Sequence, residues 1–282
     1  MTRTLYVTDL DGTLLGPDGS LSDISAKLLA VAIARGVLVT CATARSWTTT
    51  QRVLGDFRFA LPVVLYNGTF TYDAAADITI ERNEIPAATT RVILNLFAEF
   101  GMPPLVYWLG GSSERVSWVA GVENEGIRHF WADRPSDPRN SPRSGWDALP
   151  IRGVFNIAAI GSAAEIDPLA VALRTVVGDA VELHVQPDTY HPQDMWMDIA
   201  PSGGTKGTAV LALAARLGAD RIVAFGDNFN DLPMFAVADE SYAMAHADQR
   251  VQDAATATLD DAPDAVARWL GELATPSGAA AP

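Results

Sequence analysis

Two carboxylates two residues apart, Asp9 and Asp11, close a short apolar run, Leu5-Tyr6-Val7. Like charges this close raise each other's pKa unless a cation lies between them. Gly12 lets the chain turn tightly after them, and Thr13 can hydrogen-bond inside the turn. An ordinary surface turn rich in Asp is the plainer alternative. A second acidic constellation, Gly226-Asp227-Asn228-Phe229-Asn230-Asp231, also follows an apolar run, Ile222-Val223-Ala224-Phe225. Placed opposite the first pair, Asp227 would complete a set of hard oxygen ligands of the kind Mg²⁺ prefers, with room for water and a phosphate oxygen. Its plainer alternative is a helix N-cap, a position that Asn and Asp favour and that Asn230 or Asp231 could fill.

Two further positions suit an anion. Thr43 follows Thr40-Cys41-Ala42 at a strand-to-helix turn, where a hydroxyl and backbone N–H groups make a phosphate cradle. Lys206 begins a helix, where the dipole disfavours a cation, so its placement hints at a task such as holding a phosphoryl group. The segment Ser202-Gly203-Gly204-Thr205-Lys206 lacks the spacing of a nucleotide-binding P-loop, and no Gly-x-Gly-x-x-Gly occurs.

The elements that must position these residues alternate in type. Apolar strands are expected at 5–7, 36–42 and 62–66, with helices between them, the first capped by Ser22 and stopped at Gly36. From 205 onward the alternation resumes: helix 205–217, strand 221–225, short helix 231–238, strand 242–245 and helix 264–273. Such spacing means parallel pairing, hence a Rossmann-like three-layer α/β core with a parallel sheet. Between the halves the pattern loosens into two helices (87–100, 164–177) and five strands (105–109, 115–119, 153–160, 181–186, 195–199). That predicts residues 1–84 and 198–282 as one core and 85–197 as an inserted α+β domain. Residues 133–146, rich in Pro, Arg, Ser and Asp, read as an exposed loop. The tail 275–282 reads as disordered.

The chain has 282 residues, 49% of them hydrophobic, enough for a packed interior. Its 34 acidic and 20 basic residues give a net charge of −14, which disfavours nucleic acid and anionic membrane surfaces as partners. One cysteine, Cys41, excludes an internal disulfide framework, and no apolar run is long enough to span a bilayer. A cytoplasmic protein is expected. The sequence carries no signal for oligomeric state. His129, His184, His191 and His246 show no metal-ligand spacing and read as structural or surface residues. The tryptophans of the inserted segment read as its core, and Asp260-Asp261 with Asp264 as a solvated face and helix start.

Asp9-Leu10-Asp11-Gly12-Thr13, Thr43-Ala44-Arg45, Lys206 and Gly226-Asp227 through Asn230-Asp231, in this order, resemble the haloacid dehalogenase-like superfamily. Within it they resemble the Cof-type sugar-phosphate phosphatases with a large inserted (C2-type) cap. Asn67-Gly68 and Tyr242-Ala243-Met244 match that branch too, while Ala44 stands where it usually has glycine. The resemblance implies that Asp9 attacks phosphorus to form an aspartyl-phosphate, and that Asp11 acts as acid on the leaving alcohol and then as base on water. It implies Mg²⁺ held by Asp9, the Asp11 carbonyl and Asp227, with Asp231 close by. Thr43, Lys206 and Asn230 would grip the phosphoryl oxygens, and Arg45, Asn67 and Gly12 would line the same cleft. The expected activity is hydrolysis of a small phosphorylated substrate. The rivals are a phosphomutase or phosphotransferase using the same intermediate, and a non-catalytic phospho-binding regulatory module.

Overall fold

The computed structural model describes residues 2–273 except 112, 135, 189, 190 and 192, so the tail expected at 275–282 lies outside the described residues. The chain divides into two compact units, Met1–Arg82 with Thr205–Pro282, and Asn83–Gly204. Unit one opens with β1 (Thr4–Thr8), α1 (Asp23–Ala34), β2 (Leu38–Cys41), α2 (Trp47–Leu54), β3 (Val63–Leu65), β4 (Phe70–Asp73) and β5 (Ile78–Arg82). Unit two holds α3 (Ala87–Glu99), β6 (Leu105–Gly110), β7 (Ser113–Ser117), α4 (Glu125–Ala132), β8 (Val154–Gly161), α5 (Ala163–Val177), β9 (Val181–Pro187) and β10 (Met195–Pro201). The chain then returns to unit one with α6 (Lys206–Leu217), β11 (Arg221–Gly226), α7 (Leu232–Phe235), β12 (Glu240–Met244), α8 (Gln249–Ala254), β13 (Ala257–Leu259) and α9 (Ala265–Leu273).

Unit one is built on a parallel sheet in the order β13-β12-β11-β1-β2. Alternation along its strands explains the layers. Leu5, Val7, Ile222 and Ala224 pack with Val210 and Leu213 of α6 and Met234 and Phe235 of α7. The intervening Tyr6 and Phe225 turn to the opposite face, where both rings meet Trp269 of α9, at 5.9 and 5.1 Å. Helices on both faces make this the three-layer α/β core expected.

The third strand behaves differently. β3 pairs antiparallel with β4, and β4 with β5, in a separate three-stranded sheet. Its parallel contact with the β2 side is one bridge, Ala42 to Val64.

Unit two is an antiparallel sheet, β7-β6-β8-β10-β9. Ile93 and Phe97 of α3 and Ile166, Leu169 and Leu173 of α5 share a core with Val106, Ile157, Met197 and Ile199. The junction expected at 197/198 falls inside β10, which β8 and β9 flank on both sides, so the whole strand stays in this unit. Residues 133–146 are not simply an exposed loop. Asn140 and Arg143 bridge to Val116 and Val119, and the buried Arg139 is ion-paired with Asp137 at 2.6 Å.

Candidate active site

In a parallel sheet with helices on both faces, groups at the carboxyl ends of adjacent strands come into one row. Here the row runs Asp261 after β13, His246 after β12, Asp227 after β11, Asp9 and Asp11 after β1, and Thr43 and Arg45 after β2.

Asp9 is buried, and its N–H donates to the Phe225 carbonyl at 2.9 Å, which ties the end of β1 to β11. Lys206, 1% exposed, donates from Nζ to Asp9 Oδ1 at 2.8 Å and to Asp231 Oδ1 at 2.7 Å. The other Asp231 oxygen accepts from the N–H groups of Asp227 and Asn228, at 3.0 and 3.1 Å, so this carboxylate both caps its own turn and anchors the lysine. Thr13 donates from its hydroxyl to Asp227 Oδ1 at 2.9 Å.

Close backbone approach makes this possible. Gly12 has φ +73, and a Cβ there would lie 2.2 Å from Asp227 Oδ2. Gly68 has φ +109, and a Cβ would lie 2.1 Å from the Thr205 carbonyl, immediately before Lys206. Any side chain at either position would push a charged group out of place.

The second half of the site is held by backbone bonds. Thr43 is fully buried; its carbonyl accepts from the Asn67 N–H at 2.9 Å and its hydroxyl accepts from the Arg45 N–H at 3.1 Å. Tyr66 and Asn67 have φ of 48 and 56, left-handed values at non-glycine residues that cost energy and cluster at functional sites. They present Asn67 Oδ1 to Asn230 Nδ2 at 3.0 Å. The Asn230 Oδ1 is buried without a hydrogen-bond partner among the described residues. Arg45 grips Asp11 through both oxygens, Nε to Oδ2 at 2.7 Å and an NH2 to Oδ1 at 2.6 Å.

The charges do not balance. Asp9, Asp227 and Asp231 each bring one oxygen within 4.8 Å of the others, against the one ammonium of Lys206. Burial pushes the Asp9 carboxyl up to about 8, with Asp231 and Asp227 adding to the shift and Lys206 opposing it. Asp227 is raised as well, by burial and then by Asp231. Lys206 is raised: burial works against its charge, but Asp231 and Asp9 outweigh it. A buried, oxygen-only donor set short of positive charge suits a hard divalent cation.

Two members of the row were not singled out by sequence. His246 lies between Asp261, whose Oδ1 is 2.7 Å from Nδ1, and Asp227, whose Oδ2 is 3.6 Å from Nε2. Asp261 is exposed, as expected of a solvated face, and against slight burial hydrogen bonds from His246 hold its carboxyl below the ordinary range. Asp264 differs from that expectation, accepting from the Ser25 hydroxyl at 2.9 Å, because α9 packs on α1. In the other unit His129 and His191 stack at 4.6 Å.

The family model for haloacid dehalogenase-like hydrolases matches residues 6–270, and the chain belongs to that family. It is 25% identical to the pyridoxal phosphate phosphatase YbhA of Escherichia coli (strain K12), over 96% of this chain and 98% of that protein. It is 24% identical to an HMP-PP phosphatase of Escherichia coli O6:H1, over 86% of this chain and 84% of that one. In fold it is similar to the Thermotoga maritima protein TM0651, with a TM-score of 0.80 and 24% identity across 98% of this chain and 99% of that chain. No helix among the described residues is long and apolar enough to cross a membrane.

Proposed function

We propose that this chain is a Mg²⁺-dependent phosphatase acting on a small phosphorylated metabolite, such as a sugar phosphate, through an aspartyl-phosphate on Asp9. The observation that carries this reading is the buried Asp9 carboxylate fixed by Lys206 beside Asp227 and Asp231. Its similarity to two proteins named as phosphatases supports the same class.

Asp9, Asp227 and the Asp11 carbonyl would hold the ion, with Asp231 close by. Bound there, Mg²⁺ supplies charge neutralisation for the phosphoryl group and for the crowded carboxylates. Asp9, its rotamer set through Oδ1, attacks phosphorus as the alcohol leaves. Asp11, once out of the Arg45 fork that occupies both its oxygens here and favours its charged form, would give a proton to that alcohol and then take one from the water that hydrolyses the intermediate. Lys206, the Thr43 hydroxyl and the Asn230 amide bind the phosphoryl oxygens. Asn67 keeps Asn230 aimed, and Gly12 keeps Asp227 against the nucleophile loop. Residues 85–197, extended by the rest of β10, would form a cap that excludes bulk water and selects the leaving group. Cys41, buried and with its thiol pushed up by burial, is a core residue compatible with a reducing cytoplasm.

Phosphate release from a panel of sugar phosphates, pyridoxal phosphate and an aryl phosphate, with no added acceptor, is the test. Release is expected to stop with EDTA and to return with Mg²⁺. Metal-independent release would remove Asp227 from its role, and turnover only with an added acceptor would favour a phosphotransferase. In kcat/KM, which reports only formation of the intermediate, Asp11→Ala should cost about 10²–10⁴-fold on an alkyl phosphate and far less on an aryl phosphate, whose leaving group needs no proton. Equal losses would contradict an acid role.

A further inference from the structure

His246 is clamped in place from several directions. The Ala245 N–H donates to the Leu259 carbonyl at 2.9 Å, which continues the β12–β13 ladder past the strand end. Gln252 Nε2 donates to the carbonyls of Ala245 and Ala247 at 2.9 and 2.8 Å, so the backbone is held on both sides of the histidine. Asp261 Oδ1 then fixes the ring through Nδ1 at 2.7 Å. In a ring so held the direction of Nε2 is set, and Nε2 faces Asp227 Oδ2 at 3.6 Å. That distance is too long for a direct hydrogen bond and is that of packed atoms, so the ring limits where this carboxylate oxygen can move. The partner oxygen of Asp227 is already bonded to Thr13 at 2.9 Å. Asp227 is thus addressed from two sides, by a hydroxyl at one oxygen and an imidazole at the other.

We infer that His246, oriented by Asp261, is a positioning residue of the metal centre, acting through Asp227 to set how tightly the site holds a divalent cation. His246 stands outside the three carboxylates that converge on one another, so its role is to restrain a ligand, not to be one. Groups that restrain metal-binding carboxylates typically govern affinity by about 10–100-fold. The inference rests on the metal reading proposed above.

The test is titration of metal-free protein with Mg²⁺ by calorimetry and with Mn²⁺ by electron paramagnetic resonance, at one pH and without substrate. His246→Ala should raise the Kd for both ions about tenfold or more, with an unchanged melting curve in EDTA. Asp261→Ala should move the Kd in the same direction, and the double variant no further than His246→Ala, since the two act in series. His246→Gln, which keeps a polar group on a side chain of similar reach, should recover most of the loss. A His246→Ala Kd within twofold of the parent would overturn the inference. Asp227→Asn separates the two layers. If the parent binds and Asp227→Asn does not, while His246→Ala binds normally, only the histidine's role fails. If the parent binds no ion, or Asp227→Asn binds like the parent, the metal reading fails and this inference with it.

Discussion

Asp9→Asn is expected to abolish phosphate release, with a loss on the order of 10⁴-fold or more, while leaving the protein folded. Asparagine has the same shape, and its amide oxygen can still accept from Lys206 Nζ where Asp9 Oδ1 does at 2.8 Å. What disappears is the nucleophile and one negative charge. Burial and two neighbouring carboxylates already disfavour that charge, pushing the Asp9 carboxyl up to about 8. Removing it relieves the cluster, so the melting temperature in EDTA should equal or exceed that of the parent. Turnover within tenfold of the parent would refute the assignment of Asp9. Lost turnover with a collapsed melting transition would leave the loss attributable to misfolding.

Lys206→Met is expected to have the largest effect on stability. Lys206 is the ammonium that Asp9 and Asp231 share, and its side chain has no exposed surface. Removing one partner of a buried ion pair strands the others, at about 3–5 kcal/mol. Here three carboxylates remain where one ammonium stood. The loss should appear in the denaturant midpoint measured in EDTA, and saturating Mg²⁺ should return part of it, since the ion supplies the missing charge. Asp231→Asn on the Lys206→Met background should cost less than the sum of the single changes. A Lys206→Met variant within 1 kcal/mol of the parent, on this scale, would mean that the lysine does not compensate the cluster.

Part of this site was legible in the sequence, because some of its residues sit oddly in their local setting. Asp9 and Asp11 ended an apolar strand, and Lys206 opposed a helix dipole. The structure explains the second anomaly: the lysine is anchored by Asp231 in the turn before α7, and a Cβ at Gly207 would lie 2.1 Å from the Pro233 carbonyl. The helix start and that turn are pressed together, and the ion pair spans the join.

What escaped the sequence lacks such signals. β13 is three residues long and largely exposed, so it shows no apolar run, and without it nothing places Asp261 beside His246. β5 is exposed along most of its length, which hid the separate sheet that redirects β3. α4 was missed because it is only eight residues long, although Asn124 caps it at the Ile127 N–H. The loop at 133–146 has the composition of a solvated segment, yet its two bridges and the Arg139–Glu114 pair fasten it to β7 and to the residues just beyond it. By contrast, the five strands of the inserted unit announced themselves through runs such as Val154–Gly161, buried at nearly every position.

The central claim is that phosphate passes through a covalent bond to Asp9, and the stereochemical course at phosphorus tests it most directly. A phosphorothioate substrate made chiral at phosphorus with two oxygen isotopes, hydrolysed in water carrying the third, should give chiral inorganic thiophosphate with overall retention of configuration, because two in-line displacements invert twice. Overall inversion would mean that water attacks the substrate in a single step, and the role assigned to Asp9 would be wrong.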